Sequence, residues 1–291
     1  MLSSILYIES STEKSRRKCM RMSNILPNND NNFMYFQPHV ALRPYIAYYS
    51  ITTSSADIAH ISPVFIPDLG GAIIISQYHD RFDVRIWGPF NRISHIEPGA
   101  PVAQKKYFIE FHPGGLSRLI YNNSQELLNQ KLYMEDVNIA IKHSLIALVE
   151  QHALCQNQLI SQFDMYFLDL LVVRTDTLIR GRHILKILQC VSKEDTITAI
   201  EKEVHYSQRQ MNRYLNTVVG VSSKNYLRVK RINLAVQMLK QRQCSIEEVA
   251  FELGYYDSAH FIHDFTKIMN KTPTMYRENM SDFYSETTKR L

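Results

Sequence analysis

The sequence has few cysteines, no long apolar run and none of the commonest enzyme signatures. Its four cysteines, Cys19, Cys155, Cys190 and Cys244, lie far apart and form no C-x-x-C pair, so neither a disulfide framework nor a zinc site is indicated. No run of about 18 apolar residues occurs, and the start of the chain lacks the pattern of a signal peptide. We therefore expect a cytoplasmic protein that does not enter a membrane.

Catalytic motifs are also missing. The chain contains no G-x-S-x-G, P-loop, H-E-x-x-H or dinucleotide-binding fingerprint. The common hydrolase, kinase, zinc-protease and oxidoreductase classes therefore lack their residues. The sequence predicts a protein that is not an enzyme and that needs no cofactor.

The composition, with 45% hydrophobic and 21% charged residues, is that of a soluble globular protein, and 291 residues are enough for two domains. The first 32 residues are polar and predict a flexible leader. We divide the rest into a β-rich domain ending in helices at 33–173, a linker at 174–182, a helical domain at 183–280 and a tail at 281–291. The predicted fold class is α+β, with an N-terminal β-rich sheet or barrel domain with helices and a C-terminal all-α domain.

The β-rich part is predicted from short segments of β-branched and aromatic residues, with glycine and proline turns between them. These segments are Val64–Ile66, Ala72–Ser76 and Val84–Trp87. After Gly115 the apolar residues recur every three or four positions, which predicts helices. The helical segments are Leu116–Ile120, Ile139–Leu154 and Leu159–Val173, and we expect the last two to serve dimerisation.

Acidic residues are missing from Tyr206 to Ile246, a stretch that holds eight Lys or Arg. Residues 181–280 contain fifteen Lys or Arg against ten Asp or Glu, which accounts for the net charge of +5 of the whole chain. A basic excess confined to one region points to a polyanionic partner, although an ordinary solvated surface is equally common. The spacing of the residues distinguishes a nucleic-acid-binding face from an ordinary solvated surface.

Two helix-turn-helix units are predicted in this region. In the first, apolar residues at 197–204 have helical spacing, a turn follows at 205–206, and Ser207 caps a second helix. The inward face of that helix is Met211, Tyr214, Leu215 and Val218, and its outward stripe is Arg209, Asn212, Arg213 and Asn216. Arginine can bond guanine and asparagine can bond adenine through two hydrogen bonds, so this stripe suits the major groove.

In the second unit, Ser245 and Glu248 form a capping box, and Gly254 ends the short helix in the left-handed conformation. Asp257 or Ser258 then caps a helix that packs Phe261, Phe265 and Ile268 inward. Its outward face is Ser258, Ala259, His260, His263 and Lys267, for which we expect weaker base contacts and contacts to phosphates. His260, His263 and Asp264 are near enough in sequence to share a metal ion, but no cysteine is close, and we expect no metal site.

A helix that begins at Ser222 or Ser223 and continues to about Lys240 joins the two units. Its length of about 27 Å approaches the roughly 34 Å between successive major grooves on one face of a duplex. One monomer is therefore expected to place two recognition helices in adjacent grooves, whereas a plain helical bundle is the alternative. The candidate DNA-contacting residues are Ser207, Gln208, Arg209, Asn212, Arg213, Asn216, Lys224, Arg228, Ser258, Ala259, His260, His263 and Lys267.

The second unit resembles the AraC/XylS family of transcription regulators. The resemblance rests on the spacing of apolar, glycine, aromatic and proline positions in Ile246–Tyr255, Phe261, Phe265, Thr272-Pro273 and Tyr276-Arg277. It covers about Gly181 to Asn279 and implies a seven-helix domain that binds double-stranded DNA and regulates transcription beside RNA polymerase. Family members often carry arginine where this chain has His263, so we expect a loose or pH-dependent contact there.

The N-terminal part is similar to a sensor or dimerisation domain of some family members through Pro67–Gly71, Trp87–Pro89 and Phe111–Gly115. This similarity implies control by a small-molecule effector or a second copy of the chain, and it identifies no ligand. The candidates for lining an effector cavity are Trp87, Tyr107, Phe111, His60, His79, His95 and His112, although core packing is the commoner role of such residues. The alternative function is a small-molecule-binding or protein-interaction module without specific DNA readout.

Overall fold

The computed structural model describes residues 33–53, 64–95, 102–120, 123–173, 205–241, 244–278 and 283–284. The predicted leader and linker, the first helix of the first unit and most of the predicted tail lie outside the described residues. Within the described ranges, the N-terminal half contains the main β-sheet with helices and the C-terminal half consists mainly of helices. The predicted α+β fold class is therefore confirmed.

The described strands are β1 (Phe33–Phe36), β2 (Ile46–Thr53), β3 (Val64–Phe65), β4 (Ala72–Gln77), β5 (Phe82–Trp87), β6 (Ser94–His95), β7 (Lys105–Phe111), β8 (Lys131–Tyr133) and β9 (Phe283–Tyr284). Six of them form an antiparallel sheet in the order β1-β2-β7-β4-β5-β8. The short strands form a second sheet in the order β6-β3-β9. All three segments that were predicted as strands are confirmed.

The helices of the N-terminal half are α1 (Gly115–Leu119), α2 (Ser124–Leu127), α3 (Met134–His152) and α4 (Gln156–Val173). The three segments predicted as helices correspond to α1, α3 and α4, whereas α2 was not predicted. Helix α3 packs on β5, and α4 packs on α3. Side chains alternate between the two faces of a strand, and on β7 this alternation places the side chains of Tyr107 and Phe111 in the main core. Phe111 lies edge-on to Phe167 of α4, with ring centroids 6.2 Å apart. These two aromatic residues therefore pack the core.

The helices of the C-terminal half are α5 (Gln208–Val218), α6 (Ser223–Gln241), α7 (Ile246–Glu252), α8 (Ser258–Met269) and α9 (Pro273–Glu278). Ser207 and Ser245 cap α5 and α7, each in a capping box with the residue three positions later. Asp257 caps α8 by accepting a hydrogen bond from the backbone N of His260 at 2.7 Å. The predicted helix starts are thus confirmed.

The two halves share one hydrophobic core. Buried residues of the six-stranded sheet, of α3 and α4, and of α5 to α9 belong to a single continuous cluster. None of the described helices is both long enough and apolar enough to cross a bilayer.

Candidate nucleic-acid interface

Helix α5 presents an exposed basic stripe. Arg209 and Arg213 are exposed, whereas Met211, Leu215 and Val218 on the opposite side are buried. Ser207 and Gln208 are exposed at the start of the helix. Thr217, also exposed, extends the stripe by one more turn. Helical spacing of four from Arg213 was enough to find Thr217, which our sequence analysis missed.

Asn212 and Asn216 lie at the edge of the stripe, and their side chains are used within the protein. The Asn212 Oδ1 accepts hydrogen bonds from the backbone N and the hydroxyl of Ser223, both at 2.9 Å. The Asn216 Nδ2 donates to the carbonyl O of Asn212 at 2.8 Å. Recognition of adenine through two hydrogen bonds needs both the oxygen and the nitrogen of the amide, so this contact is not available to Asn212 in this conformation. Asn212 instead fastens α5 to the first turn of α6.

Helix α8 presents the second exposed surface. Ala259, His260, His263 and Lys267 are exposed and Ser258 is half-buried, while Phe261 and Phe265 are fully buried. The buried rings of Phe261, Phe265 and Tyr276 pack in sequence, with centroids 5.7 and 5.8 Å apart. This packing holds α8 against α9 and sets which side of α8 faces outward.

A buried carboxylate lies beneath the outward face of α8. Asp264, whose side chain is 7% exposed, accepts a hydrogen bond from Arg228 Nε of α6 at 3.1 Å. The imidazole nitrogens of His260 and His263 lie 3.9 and 3.8 Å from the same carboxylate. Burial, followed by the charge of Asp264, raises the pKa of Tyr255 to about 12. Asp264 therefore organises this surface, although sequence reasoning considered it only as a metal ligand.

The metal alternative finds no support in the described part of the chain. Among the described residues, no group of three or more His, Cys, Asp or Glu is arranged to hold a metal ion. His260 and His263 have side-chain exposures of 58% and 72%. Their position on α8 leaves both rings accessible to solvent.

Helix α6 connects the two surfaces. It spans 19 residues, which corresponds to about 28 Å, and it contacts α5, α7, α8 and α9. Asn212 ties it to α5, and the pair of Arg228 and Asp264 ties it to α8. Because both interactions involve the same continuous helix, the position of α5 relative to α8 depends on α6. Lys224 is exposed near the start of α6, and Arg228 is partly exposed.

The N-terminal half meets the turn between α5 and α6. The buried Ser124 at the start of α2 donates from its hydroxyl to the carbonyl O of Val218 at 2.8 Å. Gly220 in that turn has a φ of +84°, and a Cβ there would lie 2.7 Å from the carbonyl O of Ser124. The turn and α2 therefore approach each other at backbone distance, and only glycine fits there without strain.

Two further hydrogen bonds join the halves. Asn233 Nδ2 of α6 donates to the carbonyl O of Pro67 at 2.9 Å, and the backbone N of Ile93 donates to the carbonyl O of Ile268 at 3.0 Å. The turn that begins at Pro67 is held by Asp68, whose carboxylate accepts from the backbone N atoms of Gly70 and Gly71. The Pro67–Gly71 motif thus shapes the surface that α6 contacts.

The remaining histidines proposed for an effector cavity are dispersed. His79 and His95 are exposed, His112 is half-buried, and His60 lies outside the described residues. His112 donates from its backbone N to the carbonyl O of Tyr45 at 2.8 Å. Lining of an effector cavity by these histidines stays a prediction.

Comparison with known proteins places the helical half in a recognised family. A family model described as a helix-turn-helix domain matches residues 200–279. PqrA of Proteus vulgaris, described as a probable transcription factor, is 30% identical over 83 residues, which is 28% of this chain and 68% of PqrA. A transcriptional regulator of the HTH type from Haemophilus influenzae is 28% identical over 142 residues, covering 49% of this chain and 45% of that protein.

The solved structures include ToxT of Vibrio cholerae with a bound unsaturated fatty acid. It is 15% identical, with 90% of this chain and 100% of that chain covered and a TM-score of 0.40.

The capped helices, their exposed faces and the sequence matches define a transcription-regulator class of DNA-binding domain. The chain belongs to the AraC/XylS family of transcription regulators. It spans less than half the length of the Haemophilus relative.

Proposed function

We propose that the protein is a sequence-specific, DNA-binding transcription regulator that reads duplex DNA with α5 and α8. The observation that carries the proposal is the exposed pair Arg209 and Arg213 on a capped helix, within a stretch of the chain that contains no acid. Their long cationic side chains match the acceptors that guanine presents in the major groove. Membership of the family supports the same conclusion.

The roles of the contacting residues follow from exposure and chemistry. Arg209 and Arg213 contact bases, with Ser207, Gln208 and Asn216 at the margins of the same surface. Lys224 contacts phosphate, and Arg228 does so with the nitrogens that do not face Asp264. On α8, the second contact surface consists of Ser258, Ala259, His260, His263 and Lys267. Its weaker positive charge favours fewer direct base contacts than α5 makes.

Control of DNA binding is assigned to the N-terminal half. Its α2 and its Pro67–Gly71 turn bond to the turn after α5 and to α6, so a change in the N-terminal half reaches the recognition helices through direct contacts. A small-molecule effector, a second copy of the chain through α3 and α4, and RNA polymerase are the partners in this proposal. The regulator acts in the cytoplasm and catalyses no reaction.

The first experiment is selection of random duplexes on the full chain, followed by titration of the enriched duplex in increasing salt. We expect a site with two parts about one helical turn apart, because α5 and α8 are carried by one helix. The affinity should fall steeply with salt as counterions are released from the phosphates. No enrichment, or binding that does not depend on salt, would favour the protein-interaction alternative.

Variants then test the roles. Arg209→Ala and Arg213→Ala should each cost about 1 to 3 kcal/mol of binding free energy and relax the preference at one base position. Lys224→Ala should weaken binding to all sequences alike, because a phosphate contact carries no sequence information. Arg81→Ala, which removes an exposed arginine of the N-terminal half, is the control. An equal loss on every duplex from all three variants of the helical half would contradict this division.

A further inference from the structure

The six-stranded sheet has a second face, away from the main core. Residues that pair across neighbouring strands project from the same face of a sheet, with Cβ atoms about 5 Å apart. One row across the second face consists of Thr52, Lys106, Ser76 and Asp83, on β2, β7, β4 and β5. The next row consists of Ser50, Phe108, Ile74 and Arg85 on the same four strands. Charged and hydroxyl side chains therefore occupy the centre of this face.

Much of this polar face is buried. Ser50, Thr52, Ser76 and Glu110 all belong to the buried residues of the chain. The strand register places the side chains of Ser50 and Ser76 on the same face as Lys106, with Ser76 directly opposite it. A polar ligand on this face would therefore meet two hydroxyl groups as well as the lysine.

Lys106 supplies an unbalanced positive charge at the centre of this face. Its side chain is half-buried, and in the described part of the chain it forms no ion pair. The neighbouring Arg85 is already paired with Asp83, at 3.0 Å between Nε and Oδ2, and donates to the Tyr133 hydroxyl at 2.9 Å. Burial and the charge of Arg85 both lower the pKa of Lys106.

The other acid of this face lies further along the strand. Glu110 is opposite Tyr48 and Ala72, four positions from Lys106, and it has an interaction partner of its own. Without Glu110, the charges named here are Lys106, Arg85 and Asp83, which sum to +1. A bound anion would lower the electrostatic cost of keeping Lys106 charged at this place.

We propose that this face binds the oxyanion of a small effector, a carboxylate or a phosphate, with the Lys106 ammonium as its counterion. Ser76, directly opposite Lys106, donates a hydroxyl hydrogen bond, and Ser50 supplies a second donor in the adjacent row. Ile74 and Phe108 provide apolar surface for the uncharged part of the molecule. Hydrogen bonds between charged groups are stronger than neutral ones, so the anionic group is the main determinant of binding. This inference rests on the proposed function, because it assigns the effector site of that regulator.

The single tryptophan of the chain reports on this site. Trp87 lies on the same face, opposite Ala72 and two residues from Arg85. Its fluorescence can be followed while the full chain is titrated with butyrate, with butyramide as the neutral isostere, or with inorganic phosphate. We expect a saturable change with butyrate or phosphate and none with butyramide. The anion that binds more tightly tells whether the effector carries a carboxylate or a phosphate.

Three variants locate the binding. Lys106→Met, which removes the charge and leaves an unbranched side chain one atom shorter, should weaken binding of the anion about tenfold or more. Lys106→Arg should retain most of the affinity. Lys105→Met is the matched control, because Lys105 is the adjacent residue and its Nζ lies over the Tyr107 ring at 5.4 Å. Circular dichroism and thermal unfolding verify that each variant is folded.

The proposal is overturned if neither anion binds saturably, if butyramide binds as well as butyrate, or if Lys106→Met binds like the wild type. Equal losses in Lys106→Met and Lys106→Arg, or in Lys106→Met and Lys105→Met, also overturn it. Binding of the selected duplex is measured in parallel without any anion. If the wild-type chain binds the duplex but neither anion, the effector site alone is overturned. If the wild-type chain binds no duplex, the proposed regulator is overturned.

Discussion

At the scale of single residues, Asn212 and Asp264 determine how α5 and α8, the proposed recognition helices, are held against α6. Asn212 supplies an acceptor to the first turn of α6, where the backbone N–H groups have no partner within the helix. Asp264 holds Arg228 beneath α8. An ion pair with a buried carboxylate contributes little net stability, because desolvation offsets the attraction between the charges. The contribution of this pair is therefore to orient α6 and α8.

Asn212 can be tested by a pair of substitutions. Asn212→Ala removes the acceptor for Ser223 and should lower the free energy of unfolding by about 1 kcal/mol, as the loss of a helix cap does. Asn212→Asp keeps an oxygen in the same place and should retain most of that stability. Urea denaturation of the full chain measures both.

The two substitutions also separate positioning from base contact. Asn212→Asp adds a negative charge next to the proposed DNA-contact surface and is expected to weaken duplex binding through repulsion by the phosphates. Equal loss of stability in both variants would contradict the role of Asn212 as the acceptor for α6.

At the scale of elements, two glycines in the helix turns meet different surroundings. Gly220 and Gly254 both have positive φ, +84° and +72°. A Cβ at Gly220 would lie 2.7 Å from the carbonyl O of Ser124, whereas nothing lies within 4 Å of a Cβ at Gly254. The first turn is thus packed against the N-terminal half, while the second is open.

Replacing each glycine with alanine separates backbone strain from this contact. Gly254→Ala should cost about 1 to 2 kcal/mol of unfolding free energy, the cost of a left-handed residue with a Cβ. Gly220→Ala should cost clearly more, because it adds a collision with the backbone of α2. Equal losses in urea denaturation would show that α2 does not press on this turn.

Helix α6 positions both of the proposed DNA-contact surfaces. Its buried stripe of Tyr226, Val229, Ile232, Val236 and Leu239 lies in the shared core. Burial of this stripe holds α6 in place. The interactions of α6 with α5 and α8 then fix the positions of the exposed arginine and histidine side chains on those helices. Changes at the buried stripe are therefore expected to affect both surfaces together.

At the scale of the whole molecule, the two halves share a core and several hydrogen bonds. Ser124, Pro67 and Ile93 bond to the turn after α5, to α6 and to α8. A shared core predicts cooperative unfolding of both halves, because neither can open without exposing apolar surface of the other. Scanning calorimetry of the full chain should show one transition.

Ser124→Ala tests the contact between the halves. The substitution leaves the buried carbonyl O of Val218 without this donor and should lower the unfolding free energy by about 1 to 3 kcal/mol. Ser161→Ala is the matched control, because Ser161 is exposed and its hydroxyl donates within α4, to the carbonyl O of Asn157 at 3.0 Å. The unfolding temperature should fall more for Ser124→Ala. Two separate transitions in the wild type, or equal effects of the two substitutions, would contradict the coupling.

Local chemistry determined much of the helical half. Ser207, Ser245 and either Asp257 or Ser258 were predicted as helix starts, because side-chain oxygens satisfy N–H groups only a few positions away. Gly254 was predicted as a helix end for a similarly local reason. The structure selects Asp257 as the cap. The exposed face of α8 followed from periodicity alone. These features depend on neighbours in sequence, so they could be predicted without the fold.

Tertiary structure decided what each exposed or polar side chain contacts. The acceptor role of Asn212, the burial of Asp264 beside Arg228, and the bond from Ser124 to Val218 join residues from different elements. The strand register likewise places Lys106 opposite Ser76, although thirty positions separate them. Periodicity predicts which side of an element is buried, but it does not encode which element lies against that side, because packing is a property of the whole chain.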